Sequence, residues 1–338
     1  MGPVSPLLAI FEELKTRQPD AEFLWLATRN GSERELVASY GMRTQEIFSG
    51  KFRRYFSVKN IFDPLLVALG FVQSFFIILK FKPHVVLSAG GFVSVPVAWA
   101  AWLLRKPVMI HQQDVEPGLA NKLMAPVATV ITTAFASSAL AFPSKKTTVV
   151  GNPVRASITH GSGDAGLKFL GFDSSLPVVL VMGGGTGAQS LNDLVVDSLE
   201  QLVAFCQVVH LTGGKLNRIA EHRHYRGFTF LTNQLADVFA AADLVVTRAG
   251  MSALTEVAAL GKAAIIIPMP GTHQEVNANE FLKINAAAVV DQQTLTRSTL
   301  VAAIQELLGD SAERATFARN AQKVIDTTAA KRIVDMIV

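Results

Sequence analysis

Short apolar, β-branched runs alternate with stretches of helical period along the whole chain. Ala21–Ala27, His84–Ser88, Val108–His111, Val127–Thr132 and Thr147–Val150 predict one set of strands. Val178–Met182, Val208–Leu211, Thr229–Leu231, Leu244–Thr247, Ala264–Pro268 and Ala288–Val290 predict a second. Helical patterns such as Ser190–Cys206 and Ser252–Leu260 lie between them. Apolar runs joined by helices imply parallel strands buried on both faces. Two such sets imply two doubly wound α/β domains facing a cleft, with ligands bound at the carboxyl ends of the strands. Gly151–Gly171 is rich in Gly and Ser, lacks apolar period and reads as a linker, whereas Ala315–Val338 reads as helical. The expected domains are 1–155, with a C-terminal helix at about 323–338 packing back on it, and 156–322.

Composition narrows the class. Half of the 338 residues are hydrophobic and 17% are charged, which excludes a disordered or fibrous chain. A single cysteine, Cys206, excludes an internal disulfide framework and fits a reducing compartment. Glu221, His222 and His224 cluster in a polar stretch and read as a solvated face, so no metal site is expected. The first 20 residues mix Pro, Glu, Lys and Arg and do not read as a secretory signal.

The net charge of +4 is uneven: residues 1–155 carry 17 basic against 10 acidic side chains, and 156–338 carry 14 against 17. The excess sits beside the most apolar run, Ile61–Phe81, which Arg53, Arg54 and Lys59 precede and Lys80 and Lys82 flank. Its 21 residues are compatible with a core helix, with a helix laying one apolar edge on an anionic membrane surface, and with a membrane span. A nonspecific nucleic-acid binder would explain the basic stretch but not the strand-end loops described next.

Six such segments stand at the ends of predicted strands. Gly183-Gly184-Gly185-Thr186-Gly187 joins a strand to a helix, the arrangement that offers backbone N–H groups and a helix N-terminus to phosphate, although its spacing is neither that of a dinucleotide fingerprint nor of a P-loop. Arg248–Glu256 repeats the arrangement, with Glu256 within reach of a ribose diol. Pro268–Asn279 sets Gln274 and Asn277 on one helix face, where amides suit sugar hydroxyls. In the first half, Ser88–Ser94 holds the pair Gly90-Gly91, and His111-Gln112-Gln113-Asp114 runs on to Gly118 and Asn121. Gly151-Asn152-Pro153-Val154-Arg155 closes that half and is expected to aim an arginine at the cleft.

From about Val4 onward these segments resemble the MurG family, transferases that move N-acetylglucosamine (GlcNAc) from UDP-GlcNAc to the muramyl-pentapeptide pyrophosphoryl lipid of peptidoglycan synthesis. The resemblance implies the GT-B fold and an inverting transferase with no cofactor and no catalytic metal, peripheral at the cytoplasmic face of the bacterial inner membrane. It implies that Gly184, Gly185, Thr186 and Arg155 hold the donor diphosphate and that backbone near Leu231 meets uracil. Glu256 would hold the ribose, the amides of Met251, Ser252 and Ala253 would face phosphate or sugar, and Gln274 and Asn277 would bind GlcNAc. Gly90, Gly91 and Ser94 would take the acceptor pyrophosphate, lipid I being the acceptor and lipid II the product, with Asn121 also contacting substrate. Ile61–Phe81 with Trp102 would face the anionic membrane, and no nucleic-acid partner is expected.

The sequence departs from the family pattern in places. Met1–Pro6 enters at the end of the family's first loop, so the resemblance implies a sheet that lacks its first strand and two neighbours with open edges. Pro3 stands at a histidine position, Gln112 where the family has Glu, Asp114 where it has Asn, and Gly185 where it often has Ser. Asp114 and His111 are then the candidates for the catalytic base. A nucleotide-sugar binder without turnover, or a GT-B lipid glycosyltransferase with another acceptor, are the alternative functions.

Overall fold

The structure is a computed structural model that describes residues 2–28, 31, 33–50, 59–184, 188–216 and 221–338, without the side chains of 59–62. It divides into an N-terminal unit, Pro3–Pro153 with Thr328–Val338, and a C-terminal unit, Val154–Thr327. The N-terminal unit runs α1 (Val4–Arg17), β1 (Leu24–Thr28), α2 (Arg34–Ser39), β2 (Arg43–Ile47), α3 (Lys59–Phe81), β3 (Val86–Ser88), α4 (Ser94–Leu103), β4 (Val108–Gln112), α5 (Leu119–Met124), β5 (Val130–Thr133), α6 (Ala136–Ala139) and β6 (Thr147–Val149). The C-terminal unit runs α7 (Ala156–Thr159), α8 (Gly163–Leu170), β7 (Val178–Met182), α9 (Gln189–Asp197), α10 (Leu199–Leu202), β8 (Gln207–Leu211), β9 (Tyr225–Phe228), α11 (Leu235–Ala241), β10 (Leu244–Thr247), α12 (Met251–Ala259), β11 (Ala264–Ile266), α13 (His273–Lys283), β12 (Ala288–Val289), α14 (Arg297–Gly309) and α15 (Ser311–Val324). A last helix, α16 (Ala329–Val334), returns to the N-terminal unit and packs on α1.

Every paired strand in the C-terminal unit is parallel, in the order β12-β11-β10-β7-β8-β9. β7, β8 and β10 are buried along their whole length, which is why they read as unbroken apolar runs. Three expectations are corrected here. The strand sought at Thr229–Leu231 lies at Tyr225–Phe228, where Tyr225 is buried, and the expected residues form the loop beyond it. The helix sought at Ser190–Cys206 breaks at Ser198, whose hydroxyl bonds back to Leu194 O at 2.7 Å. The stretch read as a linker contains α7 and α8. Its glycines serve close packing rather than flexibility, since a Cβ on Gly166 would lie 2.2 Å from the Asp237 carbonyl oxygen of α11.

In the N-terminal unit the parallel strands form two sheets, β1-β2 and β3-β4-β5-β6. Both share the same helix layers. On one side Trp25 of β1 packs with Val4 and Leu8 of α1, while Leu87 of β3 packs with Ile10 and Leu14 of that helix. On the other side Leu26, Ile47, Val86 and Val108 share a core with α3, α4 and α5. Among the described residues β1 pairs with β2 and β3 with β4, so the split falls between β1 and β3. The strand β2 was missed from the sequence because Arg43–Ile47 is a polar, largely exposed edge.

The 23-residue helix α3 packs on α4 and buries Gly70, Ser74 and Ile78. Gln73 Oε1 accepts the Phe48 N–H at 2.8 Å, and a Cβ on Gly70 would meet Phe48 O at 2.0 Å. Gly70→Ala therefore pits a helix-propensity gain of about 1 kcal/mol against a backbone clash of about 3 kcal/mol. A net loss of about 2 kcal/mol is expected in urea unfolding, and an unchanged midpoint would refute the close approach.

Candidate functional site

In the C-terminal sheet the strand order reverses between β7 and β10, the point at which open α/β sheets bind ligands. Met182 pairs with Thr247, and Thr247 with Ile266, so the loops after β7, β10 and β11 leave the sheet side by side. Gly184 takes a φ of +81°, open to glycine and strained for other residues. Gly185 and Thr186, expected on the diphosphate, lie outside the described residues.

After β10, Gly250 is the N-cap of the nine-residue helix α12. Of the three amides expected to face the donor, that of Ala253 is turned into the helix, donating to Gly250 O at 3.0 Å, while Met251 and Ser252 open the first turn. Asn277 of α13 is fully buried, and its Nδ2 donates to Ala249 O at 3.1 Å, tying the third loop to the second. Gln274 is half-buried and its Oε1 accepts the Met269 N–H at 3.1 Å. Leu231 lies just past β9, half-buried.

Two arginines have partners that the sequence did not reveal. The guanidinium of Arg155, the residue expected on the donor diphosphate, binds Glu256, with Nε 2.9 Å and Nη2 2.8 Å from Oε1, and both side chains are 7% exposed. Arg248, which sequence reasoning noted only as part of a cluster, is buried. It reaches Ile267 O at 3.1 Å and Ser190 Oγ at 2.8 Å, fastening the ends of β10 and β11 to the first turn of α9. The signal was an arginine directly after an apolar strand, a position at which burial forces a long cation to spend its donors on carbonyls.

In the N-terminal unit, Gly90 and Gly91 take φ values of +101° and +88°, and Ser94 Oγ donates to Gly90 O at 2.9 Å. Asn121 is buried beside this loop. Its Nδ2 donates to His111 O at 3.0 Å and Gln112 Oε1 at 2.7 Å, and Gln112 in turn donates to the Asp114 and Glu116 carbonyls. The chain of donors fixes the Asn121 amide, whose Oδ1 accepts no hydrogen bond from the described residues and lies 3.4 Å from where a Cβ on Gly90 would be. A buried acceptor without a donor is costly. Pro3 lies against the same loop, 3.7 Å from a Cβ on Gly91, and has no group to take up a proton.

Both ring nitrogens of His111 are engaged. Nδ1 lies 3.0 Å from Thr132 Oγ1 and Nε2 2.9 Å from Asn152 Oδ1, and burial pulls the ring down to about 4. Its engaged nitrogens tie β4 to β5 and to the loop after β6. His210 of β8 repeats the device, with Tyr225 Oη and Asn192 Oδ1 each at 3.0 Å, and burial lowers it to about 4 as well. Asp114 is half-buried at the end of the β4 segment.

Residues 1–133 match the glycosyltransferase family 28 N-terminal domain, and 178–333 match the C-terminal domain of the same family. A Bacillus cereus UDP-N-acetylglucosamine–N-acetylmuramyl-(pentapeptide) pyrophosphoryl-undecaprenol N-acetylglucosamine transferase is 37% identical over 312 residues, 90% of this chain and 88% of its own. The Shouchella clausii enzyme of that name is 40% identical over the same shares. The chain belongs to the MurG family. The crystal structure of Acinetobacter baumannii MurG superposes with a TM-score of 0.68 at 26% identity, over 99% of this chain and 95% of that one. The two Rossmann-like units are thus those of a GT-B glycosyltransferase, and MurG relatives account for both at once.

Proposed function

We propose that this chain transfers GlcNAc from UDP-GlcNAc to lipid I, giving lipid II. The observation that carries this reading is the convergence of three ligand-ready loops at the strand-order reversal of the C-terminal sheet, in a chain of the MurG family. The glycine loop after β7 and the first amides of α12 suit the diphosphate, Glu256 the ribose, Leu231 the uracil edge, and Gln274 and Asn277 the sugar. Gly90, Gly91 and Ser94 suit the acceptor pyrophosphate, and the Asn121 acceptor suits a sugar hydroxyl or acetamide.

The reaction is a single displacement. The acceptor hydroxyl attacks the anomeric carbon, the glycosidic oxygen to UDP departs, and the configuration inverts. Negative charge gathers on the leaving diphosphate, where peptide N–H groups at a helix N-terminus stabilise it. The acceptor proton needs a base, and Asp114 is the candidate left once the His111 nitrogens are engaged. UDP release from UDP-GlcNAc with lipid I tests the reading: turnover is expected with and without EDTA. No UDP release with intact donor binding selects a second reading, a nucleotide-sugar binder, which the split between β1 and β3 favours because the Gly90 loop follows β3.

The N-terminal unit supports a peripheral membrane role. Leu65, Leu69, Val72, Phe76 and Leu79 recur at spacings of four and three along α3 and are exposed. Trp99, Trp102 and Leu103 on α4 and Leu119 and Leu123 on α5 extend the apolar surface, and exposed Lys80, Lys82, Arg105 and Lys122 stand on the same helices or at their ends. By length and composition α3 could cross a bilayer, but one face of it is spent on the core of its own unit. Its outer face suits the surface of an anionic cytoplasmic leaflet, where the lipid tail of the acceptor resides.

A further inference from the structure

We propose that Asn121 determines specificity for the acceptor: its Oδ1, locked in place by Gln112 as a positioning residue, accepts the acetamido N–H on C2 of the muramyl ring. The inference rests on the lipid I reading of the N-terminal unit and goes beyond it in naming the group that is read and the residue that fixes the reader.

Backbone carbonyls force the polarity of this subsite, because they can only accept. Gln112 Nε2 donates to Asp114 O at 2.8 Å and to Glu116 O at 3.1 Å, so both of its hydrogens are spent. Gln112 Oε1 must then point the other way, where it accepts from Asn121 Nδ2 at 2.7 Å. The second Nδ2 hydrogen goes to His111 O at 3.0 Å. Turning the Asn121 amide over would set its Oδ1 against two acceptors. Gln112 is 2% and Asn121 3% exposed, so the order is held in an interior where a misplaced acceptor is costly.

Asn121 Oδ1 is therefore an acceptor only, and no described residue donates to it. It is the Asn121 atom nearest the place of a Cβ on Gly90, at 3.4 Å. The Gly90 N–H is already given to Ser88 Oγ at 3.0 Å. An ionised pyrophosphate on the Gly90 loop has no hydrogen to offer. On a sugar that carries pyrophosphate at C1, the donor nearest the phosphate is the substituent on C2, which on the muramyl ring is an amide N–H. A hydroxyl would suit a site of either polarity, whereas an N–H is matched only by a fixed acceptor.

Steady-state kinetics of the full chain test this, with UDP-GlcNAc as donor and two acceptors. One is a short-prenyl lipid I, the other its ester analogue, in which oxygen replaces the acetamido nitrogen. Wild type is expected to favour the amide by about 30-fold in kcat/KM. Asn121→Leu should bring the ratio to within about threefold, chiefly by slowing the amide acceptor, with KM for UDP-GlcNAc unchanged. Gln112→Met leaves only His111 O to hold the Asn121 amide and should give an intermediate ratio. A wild-type ratio in Asn121→Leu would overturn the proposal, and so would an equal loss for both acceptors, the mark of a structural role. Should Asn121→Leu fail to fold, an unchanged ratio in Gln112→Met overturns it instead. If wild type turns over neither acceptor, the transferase reading fails. Calorimetric titration of the same two acceptors then reads the ratio, and equal affinities reject the role of Asn121.

Discussion

A Phe76→Asp/Trp102→Asp variant is expected to lose at least about 100-fold in affinity for vesicles containing anionic lipid, with its melting temperature and UDP affinity unchanged. Phe76 is 63% exposed and Trp102 53%, so neither substitution opens a cavity in the core. Each large side chain withdrawn from an interface forfeits about 1–2 kcal/mol of apolar transfer. Each new carboxylate adds roughly 1 kcal/mol of repulsion from an anionic surface. The sum of about 4 kcal/mol exceeds the 100-fold threshold of about 2.7 kcal/mol. Wild-type binding should also weaken between 50 mM and 500 mM salt, as Lys80, Lys82, Arg105 and Lys122 are screened. Leu282→Asp, equally exposed on α13 of the other unit, is the control. Co-sedimentation with vesicles reads the result. Loss of binding in the control, or none in the double variant, would remove the membrane role from α3 and α4.

The parts of this protein that could be read from its sequence are those in which one physical demand fixes one residue pattern. Strands buried on both faces are apolar without interruption, so β7, β8 and β10 are found near their true bounds. Glycines at strand ends are conspicuous because a turn with positive φ tolerates little else, which makes the Gly90 and Gly184 loops visible. What escaped has two causes. The first is that one residue type serves several ends: Gly166 looked like a linker glycine, yet it admits the backbone of α11. The second is that polar partners lie far apart in the chain. Nothing near Arg155 announces that Glu256 is a partner, and nothing near His111 announces Thr132 and Asn152, so neither the ion pair nor the tie between strands could be read from the sequence. The exposed stripe on α3 lies between these cases: its apolarity was plain, but which face the core uses depends on where Gly70 meets Phe48.

Acidification should loosen both units together, because each carries a buried neutral histidine. His111 and His210 are held at about 4 by desolvation, against an ordinary value of 6.5. The unfolded chain takes up a proton on each as the pH falls through 6.5, and the folded chain does so only near 4. Between those values the unfolded state holds more protons, so stability falls with falling pH; it is fully present above 6.5. At pH 5 the loss is about 2 kcal/mol for each histidine relative to pH 7, and it approaches about 3 kcal/mol each near pH 4. Charging either ring also turns an acceptor nitrogen into a donor, so Thr132 Oγ1 or Tyr225 Oη must reverse its part from donor to acceptor. Urea unfolding at pH 7 and pH 5, followed by tryptophan fluorescence for the N-terminal unit that holds Trp25, Trp99 and Trp102 and by circular dichroism for the whole chain, reads the two contributions. His210→Gln should lower stability at pH 7 yet flatten the pH dependence of the C-terminal unit, leaving that of the N-terminal unit intact. Equal midpoints at the two pH values in the wild-type protein would mean that neither ring is held neutral by burial.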